Sequence, residues 1–140
     1  MITKEQWEEI EKGLTGSMGV VKFKLGEKQI TLEKRFIKEN VMVICVFING
    51  KLDQSIGWPG ERYDPIVEQL WNKRSRSVYS PAKKKKLEKI FGKRRAKEKF
   101  ENLDEKLEWH EPFFKTFASM QRKYKKVDGL EFVRTDFVNL

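Results

Sequence analysis

Eight consecutive apolar residues, Val41 to Ile48, run into Asn49-Gly50, and no other feature restricts the fold of this chain as much. Both residues of an Asn-Gly pair tolerate positive φ, which a two-residue type I′ hairpin turn demands. The segment behind it, Lys51 to Trp58, therefore reads as the returning strand. A two-residue loop pairs Phe47 with Leu52, Val43 with Ile56 and Val41 with Trp58. The first arm is apolar on both faces, as a central strand is. Pro59-Gly60 then stops the sheet. Eight apolar residues are less than half of what spans a bilayer, which argues against a transmembrane segment.

Upstream, Thr3 and Gln6 occupy the two positions of a capping box, and Ile2 is placed to staple onto Trp7. Ile10 and Leu14 continue that helical face, and Gly13, Gly16 and Gly19 are expected to end the helix. Val21, Phe23 and Leu25 then alternate with Lys22 and Lys24, Gly26-Glu27 turns the chain, and Ile30 and Leu32 alternate with Thr31 and Glu33. This register sets Phe23 opposite Ile30 and Val21 opposite Leu32. Residues 1–60 thus read as a helix plus a four-stranded antiparallel meander.

Residues 61–129 read as a helical half. Asp64-Pro65 and Ser80-Pro81 are helix starts, with the proline at the first helical position. Gly92 interrupts the second helix; Ala96, Phe100, Leu103 and Leu107 recur at helical spacing, with His110 or Phe114 extending the stripe. Pro112 opens a further helix bearing Phe113, Phe117, Met120 and Tyr124, closed by Asp128-Gly129. Residues 130–140, beginning Leu130-Glu-Phe-Val, form a fifth strand or a tail. Short connections and the lack of repeats favour a single α+β domain over 1–140, its sheet packed with three or four helices from the C-terminal half.

Thirty Lys and Arg against twenty-one Asp and Glu give +9, but the charge is not spread evenly. Residues 73–99 hold thirteen bases: Lys73, Arg74, Arg76, Lys83, Lys84, Lys85, Lys86, Lys89, Lys93, Arg94, Arg95, Lys97 and Lys99. Only Glu88 and Glu98 oppose them, so the stretch carries +11. Residues 101–111 follow with −4, and folding that acidic block back over the basic one would still leave +7. Lys84–Glu88, Arg94–Glu98 and Lys97–Glu101 are available as i,i+4 pairs, too few to neutralise such a run. The charge calls for an anionic partner, with nucleic acid (DNA or RNA) first and an acidic protein face as the alternative. The expected nucleic-acid-binding residues are the basic ones named above, Lys99 excepted, together with Tyr79, the aromatic residue lying outside the apolar periodicities. Contact would be to phosphate, with little base readout. A membrane partner is not expected, because the stretch lacks a broad apolar face.

Catalysis is not the favoured reading. His110 has no assignable polar partner, and Cys45 sits mid-strand as a small hydrophobe. The carboxylates at 98, 101, 104, 105 and 108 are what a metal-dependent nuclease would need, but a solvated acidic face is the commoner meaning of such a run. A nuclease is thus the weakest of three readings, after nucleic-acid binding and protein binding. No metal site of several His and Cys ligands is possible with one of each, and no glycine-rich phosphate loop suggests a cofactor. An N-terminus with acids where a secretory signal needs apolar residues, and a single cysteine, lead us to expect a cytoplasmic protein.

Phe47-Ile-Asn-Gly50, Trp58, the Lys-Lys-Lys-Leu-Glu-Lys run at 84–89, Gly92-Lys-Arg94, Trp109 before Pro112-Phe113, Lys115-Thr-Phe117 and Leu130-Glu-Phe-Val133 form a pattern. Over residues 41–133 it resembles a group of small bacteriophage and prophage proteins without assigned biochemistry. The chain departs from that pattern in having Phe113-Phe114 where tryptophan is common. The resemblance implies a phage or prophage origin, a host-cytoplasm location and no active site. It also makes a factor that binds and redirects a host protein a natural second reading.

Overall fold

The structure, a computed structural model, describes residues 2–15, 19–100 and 103–137. The chain is α+β and forms two compact units: Met1–Asn72 with His110–Leu140, and Lys73–Trp109.

In the first unit, helix α1 (Lys4–Thr15) begins at the expected capping box. The Thr3 hydroxyl accepts from the Gln6 amide at 3.1 Å, and the Gln6 side chain accepts from the Thr3 amide at 2.9 Å. Strands β1 (Gly19–Leu25), β2 (Lys28–Lys38) and β3 (Val41–Ile48) form an antiparallel meander in the expected register, Phe23 opposite Ile30 and Val21 opposite Leu32. β3 is buried on both faces, as its composition requires: Ile44, Val46 and Ile48 point into the main core, and Val43 and Cys45 are buried on the other side.

Gly13 and Gly19 do not end the helix. Gly13 lies inside α1, and a Cβ there would stand 2.7 Å from the Thr135 methyl; a Cβ on Gly19 would stand 2.9 Å from the Gly13 backbone. The two glycines let helix and strand backbones approach closely. Gly16 falls outside the described residues.

The predicted fourth strand is absent. Asn49 and Gly50 do turn the chain with φ of 52° and 77°, and Lys51 bridges back to Ile48. The Asp53 carboxylate then accepts from the Ser55 amide and hydroxyl and caps a 3₁₀ turn at Gln54–Gly57. This local bonding competes with strand pairing. The edge of β3 is taken instead by β6 (Phe113–Phe114), which pairs with Ile44 and Cys45, while the Val46 amide donates to the Pro112 carbonyl. Phe113 is therefore strand rather than helix, and the last helix, α5 (Phe117–Tyr124), starts at a Thr116 cap. β7 (Leu130–Phe137) pairs antiparallel with β1, giving the order β6-β3-β2-β1-β7.

Trp7, Ile10 and Leu14 of α1 pack with Val67 and Leu70 of the short helix α2 (Val67–Leu70), with Trp71, and with Met120 and Tyr124 of α5 in one apolar cluster with the sheet. The Tyr124 ring meets Phe23 and Phe114 edge-on, at 5.7 and 5.9 Å between centroids. Gly57 lies so close to the His110 backbone that a Cβ would sit 2.0 Å from the carbonyl oxygen.

The second unit holds a two-stranded sheet of β4 (Asn72–Ser77) and β5 (Lys106–Glu111), with helices α3 (Pro81–Phe91) and α4 (Lys93–Lys99) between them in sequence. Residues 72–77 and 106–111 are thus strands within the stretch read as helical. Ser80 caps α3, accepting from the Lys83 amide at 3.2 Å, and Gly92 at φ 81° separates the helices as expected.

Candidate nucleic-acid interface

The second unit has fourteen Lys and Arg against six Asp and Glu, so it carries +8 of the chain's +9. Inside it, Ala96 and Leu103 are fully buried, and Phe100 packs against both Tyr79 and Phe91, at 6.3 and 5.8 Å between ring centroids. The Lys83 ammonium lies 5.3 Å over the Tyr79 ring and that of Lys99 lies 4.5 Å over Phe91. Tyr79 is thus half-buried in the small core rather than presented as a stacking surface.

Asp104 draws in two of the predicted site residues. Its carboxylate pairs with Lys84 from α3 and, at 3.5 Å, with Lys97 from α4. The hydrogen bond from Lys84 holds the Asp104 carboxyl below the usual range, helped by Lys97, and the same bond raises the Lys84 ammonium. Of the expected i,i+4 pairs, Arg94–Glu98 is present at 3.4 Å. Lys84 and Lys97 turn to Asp104 because the acidic segment does fold back; Glu101 lies outside the described residues. Lys73 on β4 pairs with Glu108 on β5 at 3.4 Å.

The remaining bases face outward. At 3.6 residues per turn, Lys85, Lys86 and Lys89 share the face of α3 opposite Lys84, Leu87 and Phe91. Lys93 and Arg95 are exposed in the first turn of α4, and Arg74 and Arg76 are exposed along β4. Arg76, Lys85, Lys86, Lys89, Lys93 and Arg95 have no acidic partner among the described residues. Lys106, exposed on β5, is a further base of the unit, hidden in the sequence by its place within the acidic residues 101–111. Three carboxylates of the acidic run, Glu98, Asp104 and Glu108, each face a cation.

In the first unit, burial raises the Cys45 thiol above its usual range, with Glu33 adding to the rise and Arg35 opposing it. This disfavours the thiolate a nucleophile needs. The His110 ring sits 6.5 Å from that of Tyr63. No helix among the described residues is long and apolar enough to cross a membrane. Comparison of the chain with protein-family models, with curated proteins and with solved structures finds no match in any of the three.

Proposed function

We propose that the chain is a non-enzymatic nucleic-acid-binding module, an accessory protein of the phage type that its sequence resembles, working in the cytoplasm of a host cell. The observation that carries the reading is the division of labour in the second unit. Glu98, Asp104 and Glu108 are engaged by cations of the unit's own strands and helices, while Arg76, Lys85, Lys86, Lys89, Lys93 and Arg95 face solvent with no acidic partner among the described residues. Such a surface neutralises phosphates and releases the counterions condensed on them, and with its rings half-buried it has little means of reading bases.

The test is binding of the full chain to random-sequence duplex DNA over a salt series. Log K should fall linearly with log salt, with a slope of about −0.9 per phosphate contacted, and the variant K85Q/K86Q/K89Q should reduce that slope by about 3. An absence of binding at low salt, or a slope indifferent to these changes, defeats the reading. A second reading shares the electrostatics: Tyr79 and Phe91 are half-buried beneath lysines, while Ile90 and Val78 are exposed beside the bases, a mixture that suits an acidic protein face as well. Failure of the salt experiment promotes it.

A further inference from the structure

The hairpin of β2 and β3 outruns its core. The last fully buried residue of β2 is Leu32, and every residue from Arg35 to Val41 is exposed. A bulge shifts the register between Phe36 and Lys38, leaving Ile37 as the extra residue, and Asn40 turns the chain at φ 62°. Three large apolar side chains stand at this tip: Phe36 is 66% exposed, Ile37 46% and Val41 40%. Phe36 is the most exposed aromatic ring among the described residues. Single exposed apolar residues are ordinary, but Phe36 and Ile37 are adjacent, and bulges recur where a strand re-aims a side chain.

The charge around the tip indicates what could cover it. Lys34 and Lys38 have no acidic partner among the described residues, and Glu39 is the one acid between residues 34 and 42. Arg35 is held by Glu33 and lies 5.0 Å over the Phe47 ring. Lys34 and Phe36 pair with Ile44 and Met42 on one face of the hairpin, while Lys38, past the bulge, pairs with Val41 on the other. A bare ring with one ammonium group on its own face and a second at the turn matches an unstacked base with its neighbouring phosphates, the pairing by which single strands are bound without sequence preference. We infer that the β2–β3 tip is a stacking contact for single-stranded nucleic acid, with Phe36 against a base and Lys34 and Lys38 against phosphates. The inference rests on the nucleic-acid reading above and adds the strandedness of the partner.

The test compares the full chain with its Phe36→Ala, Phe36→Tyr and K34Q/K38Q variants on a labelled oligothymidylate and on duplex DNA. Phe36→Ala should weaken single-strand binding about five-fold or more while leaving its salt slope alone. Duplex binding should change far less, and Phe36→Tyr, which keeps the ring, should restore affinity. K34Q/K38Q should lower the single-strand slope by about 1.4. Single-strand affinity unchanged in Phe36→Ala overturns the inference; if the slope still responds to K85Q/K86Q/K89Q, the function proposed above survives without it. No nucleic-acid binding by the parent chain overturns both. Loss in Phe36→Ala of binding to anionic vesicles, or of a dimer in ultracentrifugation, with single-strand binding intact assigns the tip to a membrane surface or a second copy and overturns the inference.

Discussion

The phenolic hydroxyl of Tyr124 donates to the backbone carbonyl of Leu70 at 2.8 Å, joining α5 to the end of α2 inside the core of the first unit. Its surroundings exclude water, and burial pushes the phenol well above its ordinary pKa, which favours the protonated, donating form. Tyr124→Phe keeps the ring packing on Phe23 and Phe114 but leaves the carbonyl without this donor. The expected cost is about 1–3 kcal/mol, read as a lower urea midpoint with unchanged m-value. An unchanged midpoint would mean that the bond contributes nothing net.

Gly57→Ala is expected to destabilise by about 1–3 kcal/mol, because the added methyl overlaps the His110 carbonyl and one backbone must retreat. Thermal melting checks this. If the variant melts with the parent, the segment after Asp53 is not seated against His110.

Gly50→Val forces a β-branched residue to positive φ in the turn after β3, at a cost of about 1–3 kcal/mol. Nothing lies within 4 Å of a Cβ at Gly50, so any loss reflects backbone conformation rather than a clash. Equal stability of the variant, measured by denaturant unfolding, would contradict the turn.

The contact of Asp104 with Lys84 and Lys97 gives the second unit a pH dependence of known sign. Because the folded Asp104 pKa is depressed, its contribution is present above the ordinary aspartate pKa and lost as pH falls through the lowered value. The Lys84 pKa is raised, so its contribution is complete below the ordinary lysine pKa and lost as pH rises through the higher one. An NMR titration should find Asp104 protonating below the ordinary aspartate range, and Lys84→Gln should bring it back toward that range. Amide exchange in residues 81–99 should speed up in Lys84→Gln and not in Lys85→Gln, whose side chain has no acidic partner among the described residues. Identical exchange in the two variants would remove Lys84 from the structural role.

What the sequence made legible was local. The Thr3–Gln6 box, the Ser80 cap, the break at Gly92 and the β1–β2 register each depend on residues a few positions apart, and each is present. The return strand after Gly50 failed because Asp53 satisfies Ser55 locally and because Phe113 and Phe114, far along the chain, claim the β3 edge. Residues 106–111 carried a two-residue alternation, Leu107 and Trp109 against Lys106 and Glu108, which the helical spacing of Phe100, Leu103 and Leu107 masked. Residues 72–77 have no apolar pattern that could mark a strand. For the site, the charge could be counted from the sequence, but its pairing could not. Whether Lys84 faces Glu88 or Asp104 is decided by where the segment after α4 runs.

Pairing between β1 and β7 orders events during synthesis. Val21 meets Leu32 almost as soon as both leave the ribosome, but its other neighbour, Thr135, arrives only after the second unit has been made. Until then β1 offers a bare row of amides and carbonyls, a template for pairing with another chain. The growing protein is therefore most prone to aggregate during that interval, in which its basic segment is made and its sheet is not yet closed. Like charge on the basic segments of neighbouring nascent chains, once these are made, opposes that pairing.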